Sequence, residues 1–330
     1  MIYFIKDHRL SPSAAFRLVL ALTPVILGLC VFMGPSGIGL PDPWSQREIL
    51  ILRITRVLTG FIIGGALSCA GVVFQAVLRN PLAEPYILGV SSGAGLGASL
   101  AILTGLAAAG AFILPLSAFI MAVLTLLIVH LLSNRGGGPS LYGLILSGVI
   151  VSSICSSILM FMISAASLEG MHSVLWWMLG DLEVTSYALL MISGVIVLAG
   201  TAGVWLMSRE LNALTLGHTM AHHLGIRVKA ALVAALLLAT LVAATAVSVA
   251  GLIGFVGLIV PHIMRNLVGA DHRRLVPAAT VGGGAFLAIC DAIARTIMPV
   301  EIPVGVVTAL IGGPFFLYLL KRRRTPGWIE

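Results

Sequence analysis

The stretch GHTMAHHLGI, residues 217–226, puts three histidines within six residues of a chain that is otherwise strongly apolar. His218 and His222 are four apart, so on a helix they share one face. That is the spacing of a two-histidine metal site. A protein metal centre needs three or four ligands and outer partners that orient them. Glu210 is the one carboxylate close in sequence and no cysteine is near, so the metal reading is short of ligands. Gly217 and Gly225 bracket the stretch, and its polar residues and small Ala221 predict a short helix lying against another protein rather than in lipid.

Other familiar chemistry is missing. The three lysines each follow a residue other than glycine, so no GxxxxGK[ST] phosphate loop exists and this chain does not hydrolyse ATP by that route. No HExxH occurs. Cys30, Cys69, Cys155 and Cys290 lie singly in apolar runs and read as small packing residues. Asp291 is the clearest acid inside an apolar run, and Arg295 four residues on is placed to neutralise it. Ion-coupled carriers usually keep several ionisable groups at mid-depth, and no such relay is visible. We therefore expect no catalytic residue, no bound metal and no cofactor, and a transport protein that takes its energy from a partner.

The elements that hold these residues follow from composition. Of the 330 residues, 59% are hydrophobic and 9% charged, against ~25% charged in soluble domains. Apolar stretches of helical length without period-two alternation predict an all-α polytopic membrane protein, a single domain over 1–330. Ten spans are expected, near 14–33, 50–78, 88–106, 111–132, 140–165, 186–207, 229–250, 253–268, 275–296 and 304–320. The first is too long for a signal peptide and reads as uncleaved. The eighth is short and glycine-rich, and predicts a tilted helix or a preceding re-entrant turn.

An even count puts both termini on one side. Placing the N-tail (1–13), the segment 209–228 and the C-tail (321–330) in the cytoplasm puts 15 of the 19 basic residues there, as the positive-inside rule requires. This accounts for the net charge of +7 without nucleic acid. Arg47, Arg53, Arg56 and Arg295 fall outside. Arg53 and Arg56 are three apart and share a helix face. Snorkelling to lipid phosphate is the plain explanation for such residues.

Four ordered blocks carry a resemblance. RITRVLTGFIIGGALSCAGVVFQAVLRNPLAEPYILGVSSGAGLGA (53–98), LTLGHTMAHHLGI, GLIGFVGLIVPHIMRNLVGADHRRLVP (251–277) and EIPVGVVTALIGGPFF (301–316) resemble the permeases of the iron-siderophore, haem and vitamin B12 uptake family of ABC transporters. The resemblance implies ten helices per subunit in the type II ABC importer arrangement, with two subunits around a central path. It implies a bacterial inner membrane, two ATPase chains that bind ATP and Mg, a second permease copy or paralogue, and a periplasmic binding protein. It implies a large metal chelate as cargo: a ferric siderophore first, with haem or cobalamin as alternatives. By resemblance, Gly217, His218, Ala221, Leu224 and Gly225 couple to the ATPase, and Arg53, Arg56 and Arg295 receive acidic residues of the binding protein. Asn80, Leu82 and Ser140 would close the cytoplasmic end of the path. Pro139, before Ser140, departs from the polar residues expected there. The competing class is a secondary carrier driven by an ion gradient.

Overall fold

The computed structural model describes residues 11–34, 37–42, 45–133, 141–183, 186–298 and 300–322. Thirteen α-helices occur among them: α1 (Pro12–Phe32), α2 (Arg47–Val77), α3 (Val90–Leu103), α4 (Ile113–Ser133), α5 (Leu141–Ser164), α6 (Leu168–Met178), α7 (Tyr187–Leu206), α8 (Ser208–Thr215), α9 (His218–His223), α10 (Val228–Ala250), α11 (Val256–Val268), α12 (His272–Thr296) and α13 (Val304–Arg322). Met33–Gly34 (β1) and Gly37–Ile38 (β2) pair antiparallel in a small hairpin after α1. Seven helices are long and apolar enough to cross a membrane: α1, α2, α4, α5, α7, α10 and α12. The shorter apolar helices α3, α11 and α13 occupy the remaining expected segments. At ~1.5 Å per residue, α3 and α11 extend only about 20 Å; α3 follows a 3₁₀ turn and α11 a non-helical stretch.

Large apolar side chains on α1, α4, α5 and α7, such as Leu29, Leu131, Phe161 and Leu198, are exposed. A chain in water rarely exposes so much apolar surface; in a bilayer these faces meet acyl chains. The core forms instead around α2, whose residues from Gly64 to Val77 are all buried. A helix apolar all round belongs at the centre of a bundle.

Small residues set how closely α2 meets its neighbours. Gly64 and Gly283 face each other where α2 crosses α12, and a Cβ on Gly64 would lie 2.6 Å from Leu287 Cβ. One position along, a Cβ on Gly65 would come 3.0 Å from the Thr280 carbonyl. Without a hydrophobic drive inside lipid, such close backbone approach is what binds helices together.

One feature departs from the expected spans, and a second gives the irregular entry expected of the eighth. α6 lies in a stretch, 166–185, expected to hold no span; it is 11 residues long, capped by Ser167, whose hydroxyl accepts from Gly170 N at 3.2 Å. The eighth segment begins later than expected: residues 251–255 are non-helical, with Gly251 at φ 70° and Phe255 at φ 68°, and α11 starts only at Val256. Tyr86 holds this break. Its hydroxyl donates to Ile253 O at 2.7 Å and accepts from Ile253 N at 2.9 Å, so both polar groups of a buried residue are satisfied.

Overpacking a close helix crossing costs ~1–3 kcal/mol or more. Gly283→Leu should therefore lower the thermal midpoint of detergent-solubilised protein by several degrees. Gly28→Ala, in α1 with nothing within 4 Å of the new methyl, should leave it unchanged or raise it. Fluorescence-detected size exclusion after heating reads both.

Candidate functional site

α2 and α12 run antiparallel, and each end of this pair carries a cluster of polar residues.

At the end where α2 begins, three arginines meet two acids. Arg56 Nε lies 2.9 Å from Asp291 Oδ1, and its Nη1 lies 2.9 Å from Glu301 Oε2. Arg295 Nε lies 2.9 Å from Asp291 Oδ2, the i,i+4 pair expected from the sequence. Asp291 is fully buried and held from both sides. Arg53 and Arg295 are buried too. Arg53 Nη1 donates to Gly39 O at 2.7 Å, and Arg295 Nη1 donates to Met33 O at 3.0 Å. Gly34 leaves room for the Arg53 guanidinium, which a side chain there would strike. The arginines thus clasp the β1–β2 hairpin to α2 and α12. Arg56, 15% exposed, and Glu301, 41% exposed, are the members that reach the surface. The cluster holds three guanidinium groups against two carboxylates, an excess of one positive charge.

At the opposite end, α2 stops at a turn. Arg79 adopts φ 46°, Asn80 Oδ1 accepts from Leu82 N at 3.0 Å, and Asn80 O accepts from Ala83 N at 3.0 Å. Pro81 and Pro85 prevent a continuous helix here. Asn80 and Leu82, expected together at a gate, share this one turn. Ser140 and Pro139 lie outside the described residues. Glu84 follows, and burial pushes its carboxyl above the usual range, partly offset by a hydrogen bond from the Phe255 backbone. Residues 89–93, GVSSG, match the GxSxG spacing of a hydrolase elbow, but that motif needs a strand before it. Here a 3₁₀ turn, Pro85–Leu88, precedes it.

Beside this turn stand α8 and α9. Gly217 (φ 106°) and Gly225 (φ 80°) bracket α9, the short helix expected from the sequence. Ala221 is buried against the bundle, while Leu216 at the end of α8, Met220 on α9 and Leu224 just after it are exposed. His222 and His223 are exposed on the same helix. A cleft of about 430 Å³ separates His218, Thr219 and His223 from Arg79. Among the described residues no three His, Cys, Asp or Glu side chains gather to hold a metal ion. The surface at α9 therefore mixes exposed apolar side chains with imidazoles.

α8, which leads into this short helix, is fastened to α12. Asn212 Nδ2 donates to Asp271 Oδ1 at 2.8 Å, and its Oδ1 accepts from His272 N at 3.0 Å. With Oδ1 fixed as acceptor, the 2.6 Å contact to His272 Nδ1 requires the proton on Nδ1. Asp271 also accepts from Arg273 N at 3.1 Å, capping α12. The Asn212 and Arg273 hydrogen bonds hold its carboxyl below the usual range. No sequence signal joined Asn212 to Asp271; they are 59 residues apart.

Comparison with known proteins gives a consistent picture. The FecCD transport family model matches residues 7–322. The chain is 37% identical over 335 residues to the hemin transport system permease protein HmuU of Yersinia pestis, covering 96% of this chain and 98% of the relative. It is 38% identical over 293 residues to the cobalamin import system permease protein BtuC of Halobacterium salinarum, covering 88% and 78% respectively. A solved structure described as an inward-facing conformation of a metal-chelate type ABC transporter superposes with TM-score 0.85 at 30% identity, covering 94% of this chain and all of the other.

Removing one member of a buried ion cluster costs ~3–5 kcal/mol, whereas an exposed pair is worth ~1 kcal/mol or less. Asp291→Asn should therefore lower the unfolding midpoint in micelles sharply, and Glu301→Gln should barely move it. Equal effects from the two would mean that Asp291 is not the member on which the cluster depends.

Proposed function

Because the chain belongs to the FecCD transport family, we propose that this ABC importer permease carries a metal chelate, with a ferric siderophore the first candidate and haem or cobalamin the alternatives. It is the membrane-spanning subunit of the importer and not itself an enzyme. The observation that carries the reading is the family match over residues 7–322; the relatives named for hemin and cobalamin import support a chelate as cargo. In our reading all ten apolar segments cross the inner membrane, both termini are cytoplasmic, and the N-tail, the segment 209–228 and the C-tail lie on that side. ATP and Mg then belong to the partner, with no cofactor in this chain.

Each end of the α2–α12 pair takes one task. The α9 peg, with Gly217, His218, Ala221, Leu224 and Gly225, engages a groove of the ATPase. ATPase states that grip the peg differently then shift the permease between its own states. The adjacent turn with Asn80 and Leu82, together with Ser140, closes the cytoplasmic mouth. At the other end, the arginine cluster of Arg53, Arg56 and Arg295 receives acids of the binding protein. Arg56 is the point of entry, because it reaches the surface and its outer partner Glu301 is exchangeable. A bidentate guanidinium suits the incoming carboxylate.

Native mass spectrometry of the gently extracted complex should give two permeases with two ATPase chains, homo- or heteromeric as the masses tell. Met220→Asp with Leu224→Asp should strip the ATPases while leaving the permeases paired. A bare permease that moves substrate on an ion gradient without ATP would overturn the reading in favour of a secondary carrier.

Glu301→Gln removes the acid that competes for Arg56. It should strengthen association of the loaded binding protein several-fold at low salt, with the gain fading above ~0.15 M as screening sets in. Arg56→Glu should weaken association under the same conditions. Affinity indifferent to both changes at low ionic strength would reject this docking site.

A further inference from the structure

Along α10 two clefts meet end to end. The first, about 600 Å³, lies at the start of the helix and is lined by His222, Arg227, Lys229 and Val233. The second, about 410 Å³, continues from Val233 between α4, α5 and α10, with Phe119, Leu126, Leu144 and Leu237 among its lining. No acidic residue lines either cleft among the described residues. Lys229, Val233, Leu237 and Leu241 follow one another at four-residue spacing, so the charged and apolar parts lie along one face of α10.

We propose that this pair of clefts holds one anionic phospholipid of the surrounding leaflet. Arg227 and Lys229 take the phosphate, and the α4–α5–α10 groove takes acyl chain. The dimensions agree. From Lys229 to Leu241 is 12 residues, about 18 Å of helix, and one leaflet of a ~30 Å hydrocarbon core is about 15 Å deep. The charge pattern distinguishes this occupant from others. A second copy of the chain would find two cations with no acid to meet them, and a zwitterionic lipid would bring an ammonium to the same cations. Basic pockets between transmembrane helices are a recurrent way of holding anionic headgroups. The site also adjoins α9 through His222, so the bound headgroup lies against the proposed ATPase peg. The inference rests on α10 lying in a bilayer, and lipid retention is read independently of ATPase assembly and transport.

The test uses the full chain in nanodiscs of phosphatidylethanolamine and phosphatidylglycerol, released by mild detergent into a native mass spectrometer. The wild-type chain should retain phosphatidylglycerol in preference to phosphatidylethanolamine. Arg227→Gln with Lys229→Gln should reduce that retention about thirtyfold, from ~1 kcal/mol per basic residue near the surface. Leu237→Trp plugs the groove and leaves the charges in place. It should also reduce retention, which headgroup attraction alone would not explain. Equal retention of the two lipids, or indifference to Leu237→Trp in a chain that remains monodisperse, would overturn the proposal. So would disulfide-linked dimers of Leu237→Cys in the same nanodiscs, since a second copy would then cover the groove.

Discussion

The molecule depends on the contact between α2 and α12. Facing glycines let the two backbones approach to a distance that side chains would forbid, and dispersion between them replaces the hydrophobic drive that lipid cannot supply. Because the contact is between backbones, it has little slack. Everything fastened to either helix inherits its position: the arginine cluster at one end, the Asn80 turn and the Asn212 clasp at the other. The rest of the bundle can vary in its lipid-facing surface without disturbing this pair.

The ion cluster would be unfavourable without that rigidity. A buried carboxylate and two guanidinium groups lose hydration that their attraction recovers only when geometry is good. Asp291 meets the condition because α12 sets Arg295 one turn above it and α2 brings Arg56 alongside. The carbonyls of Met33 and Gly39 then take further guanidinium protons. The same cluster is thus structural in its interior and available at its rim. That division separates Arg53 and Arg295, which are enclosed, from Arg56.

What was legible in the sequence divides along the same physical lines. Long apolar runs announce helices by composition, and the Gly217–Gly225 bracket announced α9 because glycine is the residue that tolerates positive φ. Asp291 and Arg295 were visible as a pair because both lie on one helix. Arg56 meeting Asp291 across 235 residues was not, nor was the inward turn of Arg53, since the cue is the missing side chain of Gly34. α6 is too short for a span, and its apolar residues blend with its neighbours. An irregular entry to the eighth segment was legible from its shortness and its glycines, but not where the helix would start, because GLIGF reads as the start of an apolar run. A phenylalanine in the left-handed region is what tertiary packing, not local preference, imposes. Phe255 is held there with its ring against Gly312.

That break has a further meaning through Tyr86. In a hydrocarbon setting an interrupted helix normally exposes amide groups that find no water. Here one phenol occupies both sides of the Ile253 peptide pair and stands in for the missing turn. Both bonds are made by the one hydroxyl oxygen. Losing that phenol would leave both polar groups of a buried residue without partners where no water can replace them, so the interruption depends on a side chain that belongs to neither α10 nor α11.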